Sequence, residues 1–413
     1  MTLKKTSVIT VFEYLLMLST VLYSSMWALF TEAQSNTFSR IFIVILGVLL
    51  ALRFTEIRQR GIYRAAAMAV FLVVFMFFTR YNLIRTVLYL LIPFCLSILY
   101  LSLLKTREEK SRLILYLSDI LVVLSAVSLV LYILGTMFGF LSPTSQVRVW
   151  WAEEERVINT YFHLLYEAQE INFFGQTFMR NCGIFPEAPG FAAFLSVSLA
   201  AELFLRKNFS RSRIIILTIT CVTTFSAKAL LLAAAAFILK FLFWENKSRL
   251  VTLAKVLGAV IAVAFAALIL WDKAQSPSFY IRLDDFQAAL AAFAQNPIFG
   301  AGYYNDSAVI ANFEYAYRYN DGLSMGIAVL AAEGGLWLTL FYLLSSVKAV
   351  FCTDKGDRLS TLLFALIFFG MLFITNMPFA MITIFIVSYF ASLGEEGFFE
   401  KLWEGVKGWL SKA

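Results

Sequence analysis

The chain has 413 residues, of which 61% are apolar and only 15% charged, with a formal net charge of +7. Soluble domains run at about 45 to 50% apolar and 25% charged, so a water-soluble globule is excluded and a polytopic membrane protein is expected. One histidine and four widely spaced cysteines give no material for a histidine-rich metal centre, a CxxC metal site or a disulfide framework, and neither a metal nor a cofactor is expected. The basic excess needs no nucleic-acid partner, because most Lys and Arg fall in short segments between apolar runs, as orientation in a membrane requires.

In chain order, the opening MTLKKTSVIT mimics a signal peptide, but no small-residue cleavage site follows the apolar stretch, and 8–30 is read as a retained first span. Runs long enough to cross about 30 Å of hydrocarbon follow at 39–53, 62–79, 84–104, 113–141, 188–205, 252–271, 323–347, 359–375 and 378–394. The stretch 213–244 is short for two spans and long for one, and Ser226 and Lys228 interrupt it. Basic segments flank it on both sides, RKNFSRSR at 206–213 and Lys240 through Lys247 and Arg249, so both its ends should be cytoplasmic and Lys228 should lie at an external turn. The expectation is an all-α polytopic membrane protein, one integral membrane domain over 1–413 with about twelve transmembrane helices and both termini cytoplasmic.

This threading leaves two long connections, 142–187 and 272–322, both external. Long loops in a compact protein are usually functional or disordered, and aromatic richness argues against disorder, so both are expected to be folded and partly helical. In the second, Leu283, Phe286, Leu290 and Phe293 recur at helical spacing after Arg282, and Asn296-Pro297 stops the helix before FGAGYYND. At the end of the chain, 395–413 places Phe399, Leu402, Trp403, Val406, Trp409 and Leu410 on one face, which predicts a cytoplasmic interfacial helix rather than a further span.

The first long loop ends in RNCGIFPEAPGFAAF, which puts Arg180 and Glu187 at the lip of a span. Charges buried at mid-bilayer cost about 2.5 to 3.5 kcal/mol each on insertion scales, so such residues usually mark a site. Arg282 opens the helix of the second loop and Lys228 sits at the turn between, so three cations could converge on one external cavity that suits a pyrophosphate. Glu187 is the carboxylate best placed to accept a proton from an attacking hydroxyl. Each has a plainer alternative. Arg180 could anchor a span at the headgroups, Arg282 could pair with Asp285 three residues on, and Glu187 could cap the following helix. Glu333, in LAAEGGLWL, is an ionisable group within a span and thus a functional candidate, or a bond to a neighbouring helix. His163, in an aromatic stretch, could be a base or a loop-packing residue. Trp150 and Trp151, beside Glu153 to Glu155, could stack on sugar faces or sit at the interface as tryptophans ordinarily do.

These motifs together resemble the Wzy-type O-antigen and capsular polysaccharide polymerases, in the O-antigen ligase/polymerase superfamily. RNCGIFPEAPGFAAFL is similar to the Arg-x-x-Gly-x-Phe-x-Glu-Pro-Gly motif that leads into a span, through Arg180, Gly183, Phe185, Glu187, Pro189 and Gly190, with Ala188 standing between Glu187 and Pro189. IRLDDFQAALAAFAQNPIFGAGYYN resembles the Arg-led helix followed by Asn-Pro-x-x-Gly-x-Gly, through Arg282, Asn296, Pro297, Gly300 and Gly302. GLSMGIAVLAAEGGLWL is similar to the span that follows, with Glu333 and Gly334 in place, and TTFSAKALL resembles the short hairpin, with Lys228 at its tip. Ligases usually show His-Asn before that span, and its absence here favours a polymerase.

The resemblance implies a GT-C-like helical fold and an undecaprenyl-pyrophosphate-linked oligosaccharide as donor, whose anomeric carbon is attacked by a sugar hydroxyl of a second lipid-linked unit at the outer face of the bacterial cytoplasmic membrane. It implies arginines in place of a metal at the leaving group, membrane lipid as surroundings and a chain-length regulator as partner. Arg180, Glu187 and Arg282 would be catalytic, with Lys228, Glu333, Asn296, Gly300, Gly302, His163 and Asp285 binding substrate. A ligase, a peptidoglycan polymerase of the shape, elongation, division and sporulation type, and a transporter of lipid-linked oligosaccharide remain open. Transporters, however, tend to show two similar halves, and no internal repeat is visible.

Overall fold

The computed structural model describes residues 5–29, 32–57, 59–151, 154–173, 176–208, 210–243, 277–315 and 322–393, with residues 255 and 258. Its helices are α1 Lys5–Tyr23, α2 Met26–Leu29, α3 Glu32–Leu52, α4 Gln59–Thr79, α5 Leu83–Leu103, α6 Arg107–Met137, α7 Ala188–Leu205, α8 Arg211–Thr223, α9 Ala227–Leu242, α10 Pro277–Gln295, α11 Asp306–Ile310, α12 Gly326–Cys352, α13 Lys355–Ile374 and α14 Met381–Ser392. Among the described residues seven are long and apolar enough to cross a membrane: α1, α4, α5, α6, α7, α12 and α13. The chain is a multi-pass membrane protein. Of the other expected spans, 39–53 and 378–394 are shorter apolar helices, and 213–244 folds as α8 and α9 around a tight turn. The expected span 252–271 and the expected interfacial helix 395–413 lie outside the described residues, apart from residues 255 and 258.

Burial follows from residue pattern. A helix that is apolar on every side belongs in the interior rather than against lipid or water, and α7 and α14, AAFLSVSLA and MITIFIVSYFAS, are buried along nearly their whole lengths. Around them α6, α9 and α13 pack on α7, and α5 and α12 pack on α14. Helix C-termini leave carbonyls without intrahelical partners and favour cations. Lys110 Nζ accordingly donates to Ser392 O at 2.6 Å and Lys348 Nζ to Ala391 O at 3.0 Å, both at the end of α14. Lys240 Nζ does the same for Leu203 O, at 2.7 Å, at the end of α7.

The fold is mostly helical as expected, but the segment between α6 and α7 corrects the expectation that the first long loop is partly helical and the fold free of strands. It contains strands: β1 Ser145–Trp151, β2 Glu154–Tyr161 and β3 Leu165–Tyr166 form one antiparallel sheet, and β4 Glu170–Phe173 pairs with β5 Gln176–Met179 in a hairpin. The physical reason is period-two alternation. Val149 and Ile158 turn inward onto Met26 and Tyr166 while Arg148 and its cross-strand partner Val157 face out. Tyr161 and Leu165 pack on Leu131 and Tyr132 at the end of α6, which fixes the sheet to the bundle.

The segment before α12 is helical, and α10 ends at Gln295, just before Asn296-Pro297. Its buried face is not the Leu283 and Leu290 stripe, however. Both leucines are exposed, and Ile281, Asp284, Asp285, Ala288, Ala289 and Ala292 are buried instead, with the alanines packed on Val309, Ala328 and Ala332. Small side chains let α10 approach α12 closely, and the two aspartates are buried because they have partners. Asp284 Oδ1 accepts the N–H groups of Glu314 and Tyr315, and Asp285 Oδ2 accepts Ser324 Oγ at 2.5 Å.

Candidate active site

The β4–β5 hairpin delivers Arg180 to the lip of α7. Gln169 precedes the hairpin, Arg180 follows it, and Arg180 N donates to Gln169 O at 2.9 Å across its base. The next residue locks the junction to the α8–α9 turn. Asn181 is fully buried, its N–H donates to Thr223 O at 3.0 Å, its Nδ2 to Thr223 Oγ1 at 3.1 Å and to Ser128 Oγ at 3.4 Å, while its Oδ1 accepts Gly183 N. Arg180 Nε then donates to Thr224 O at 2.9 Å and Nη1 to Gln169 Oε1 at 3.2 Å. These acceptors are neutral, so they orient the guanidinium without spending its charge, and among the described residues none takes the Nη2 donors.

Docking the junction on that turn puts Lys228, in the first turn of α9, within electrostatic reach of Arg180. Arg282, exposed near the start of α10, is within electrostatic reach of both. Glu187 and Asp285 face the same cluster and act on Lys228 with the opposite sign. Arg180 and Lys228 lie outside the seven long apolar helices. Burial lowers the Arg180 pKa from its ordinary value, with Cys182 and Glu187 opposing and Arg282 adding to the shift. Burial and then Arg282 push the Lys228 ammonium down to about 8, against Glu187 and Asp285. Positive groups crowded in a partly desolvated place favour the arrival of an anion, which relieves their repulsion.

Glu187 is the N-cap residue of α7 by position, but its carboxylate makes no capping hydrogen bond. Half-buried, it is left facing the cations with no side-chain hydrogen bond to any described residue. Gln169 Oε1 takes over the helix start, accepting Ala188 N at 3.1 Å while it also holds Arg180. Asp285 is engaged by Ser324 rather than by its i+3 neighbour Arg282. Cys182 is fully buried and its thiol is pushed up to about 12 by that burial, which makes it an inert packing residue.

Glu333, Asn296, Gly300 and Gly302 belong to a second place. Helix α12 breaks at Gly335 (φ 60°, ψ −165°), and the segment after Pro297 lies in the break. Ala301 N and Gly302 N donate to Ala332 O and Glu333 O at 2.8 and 2.9 Å, and Leu336 N and Trp337 N donate to Pro297 O and Ile298 O at 2.8 and 2.9 Å. The backbones touch so closely that a Cβ at Gly300 would overlap the Glu333 carbonyl, and one at Gly335 the Ile298 carbonyl. Gly302 packs on Tyr81. Asn296 contributes its carbonyl, which accepts Gly300 N at 2.8 Å, and Glu333 Oε2 accepts Tyr304 N at 2.8 Å. Two sequence motifs far apart in the chain are thus the two halves of one clasp.

His163 lies apart from both places. Its Nδ1 is 3.2 Å from Tyr166 Oη, its Nε2 3.4 Å from Ser145 Oγ, and its carbonyl accepts Trp27 Nε1 at 3.1 Å, so it ties the sheet to the α1–α2 turn. Gln169 and Asn181 had no signal in the sequence beyond their nearness to Arg180, because a neutral amide in a loop carries no motif.

Residues 214–343 match the family model described as O-antigen ligase. The match agrees, over that part of the chain, with the resemblance to the O-antigen ligase/polymerase superfamily. The match covers just under a third of the sequence. It takes in Lys228, Arg282, Asp285, the clasp and Glu333, and leaves Arg180, Glu187 and His163 outside. Comparison with curated proteins and with solved structures gives no match.

Proposed function

We propose that this chain is a polysaccharide polymerase that joins undecaprenyl-pyrophosphate-linked oligosaccharide repeat units at the outer face of the bacterial cytoplasmic membrane. The observation that carries the reading is that Arg282 and the half-buried Glu187 carboxylate both lie within electrostatic reach of Arg180 and Lys228. In this reading the chain crosses the membrane about twelve times in a GT-C-like arrangement with both termini cytoplasmic, so that the cluster opens outside.

Arg180 and Arg282 hold the donor pyrophosphate and Lys228 assists, supplying the positive charge that a divalent ion supplies in other transferases. A sugar hydroxyl of the acceptor attacks the anomeric carbon of the donor. The glycosidic C–O bond forms as the bond from that carbon to the phosphate oxygen breaks, its electron pair leaves with the lipid pyrophosphate, and the hydroxyl proton passes to Glu187. The deciding experiment supplies the purified protein in nanodiscs with lipid-linked repeat units alone. A ladder of polymers is expected, and it should be lost in Arg180→Ala and Arg282→Ala at normal membrane levels. Wild-type chain lengths in both variants would sink the proposal. A second reading, a ligase that transfers finished glycan to a different lipid acceptor, is favoured by the description of the matching family. It predicts no ladder until that acceptor is added.

A further inference from the structure

Beside the clasp lies a group of polar side chains that the cation cluster does not use. Glu333 is 1% exposed, and while Oε2 accepts Tyr304 N, its Oε1 has no hydrogen-bond partner among the described residues. Asp306 is half-buried, with its carboxylate within electrostatic reach of Glu333. Tyr304 holds a left-handed backbone (φ 56°), a conformation that non-glycine residues adopt at a cost of about 1 to 3 kcal/mol unless their surroundings impose it. Here the clasp imposes it, through the Glu333 bonds to Gly302 N and Tyr304 N. The residue is 47% exposed overall, with its hydroxyl in hydrogen-bonding reach of Tyr23.

From this geometry we infer that Asp306, Tyr304 and Glu333 form a subsite for an uncharged saccharide, the acceptor end of the second substrate. The inference rests on the transferase reading above. Glu333 and Asp306 lie within hydrogen-bonding reach of each other, and the pair presents more acceptor oxygens than donors, so it favours O–H or N–H donors and repels a phosphate. A sugar supplies adjacent hydroxyls for Asp306 and an apolar C–H face for Tyr304. Glu333 is a positioning residue: it fixes Tyr304 and stands behind Asp306. The two sites flank one turn. Met26 N donates to Ile184 O at 2.7 Å on the Arg180 side, and Tyr23 meets Tyr304 on the other. Donor pyrophosphate and acceptor sugar thus occupy places of opposite charge on either side of residues 23–26.

The test uses the full chain in nanodiscs and two probes, undecaprenyl pyrophosphate and the repeat oligosaccharide released from its lipid. Loss of a hydrogen bond to a charged group is worth about tenfold or more in affinity. Asp306→Asn and Tyr304→Asn, the latter tolerant of the left-handed backbone, should weaken oligosaccharide binding by at least that and leave undecaprenyl pyrophosphate within about twofold. Glu333→Gln should retain oligosaccharide binding, because its amide still accepts from Tyr304 N and can donate to Asp306, whereas Glu333→Ala should lose it. If wild type shows no saturable oligosaccharide binding, or if Asp306→Asn and Tyr304→Asn bind it normally, the subsite is overturned and the donor site stands. If Arg180→Ala binds undecaprenyl pyrophosphate normally, the donor reading falls on its own.

Discussion

The two ends of α7 treat arginine in opposite ways. At one end Arg206 lies 2.6 Å from Asp119 and 2.8 Å from Glu202, and Arg213 reaches the same two carboxylates. Nearby, the fully buried Glu13 is flanked by Arg112 at 3.3 Å and Arg53 at 3.9 Å and accepts Tyr100 Oη at 2.6 Å. About 27 Å away along this 18-residue helix, at the other end, the side chain of Arg180 meets, among the described residues, a backbone carbonyl and a neutral amide. No described carboxylate lies within 4.0 Å of Arg180 to form an ion pair. Charge cancelled by charge holds α1, α3, α5, α6, α7 and α8 together. Charge oriented by neutral groups keeps its attraction for something not yet present.

The largest effect expected from breaking this contrast is at the paired end. Glu202→Ala leaves Arg206 and Arg213 facing one carboxylate fewer in a buried setting, a loss of about 3 to 5 kcal/mol, read as a collapse in monodisperse yield and thermal stability. Arg180→Ala should leave stability nearly unchanged and reduce polymer formation by about 10²–10³-fold, the scale of losing one oriented charge-stabilising donor. Should Arg180→Ala unfold the protein while Glu202→Ala is tolerated, the contrast is reversed. Gly335→Ala should destabilise by about 1 to 3 kcal/mol because φ 60° and the Ile298 carbonyl leave no room for a Cβ.

A smaller, sharper effect concerns pH. Lys228, with its pKa lowered to about 8 by burial and Arg282, is charged below that value and neutral above it. Affinity for undecaprenyl pyrophosphate should therefore fall severalfold as pH rises from 7 to 9, and Lys228→Arg, which stays protonated, should remove the fall. The same descent in both proteins would assign it to another group. His163→Ala should change stability by about 1 kcal/mol or less and leave chain length unaltered, because its two side-chain contacts are long and polar.

The apolar runs and the order of charges between them made the bundle legible and pointed to Arg180, Lys228 and Arg282, which lie within electrostatic reach of one another, since hydropathy and basic bias act over whole segments. Three features were less so. The alternation in QVRVW and RVINTY is a strand signal, but it is weak beside the helical signals around it. The buried face of α10 is made of alanines and two bonded aspartates, so the bulkier leucines pointed to the wrong side. The role of Glu333 depends on backbone pairing with residues more than thirty positions earlier in the chain, which no local pattern reveals.

The break in α12 carries a consequence for what can move. A helix interrupted within a bilayer exposes amides and carbonyls that lipid cannot satisfy. Here the 297–302 segment satisfies them through four backbone bonds, so that segment cannot swing aside without stranding polar groups in hydrocarbon. Its amide protons at Ala301 and Gly302 should exchange with solvent as slowly as those of a buried helix. A connection that reads as a loop is then a fixed wall of the bundle rather than a lid.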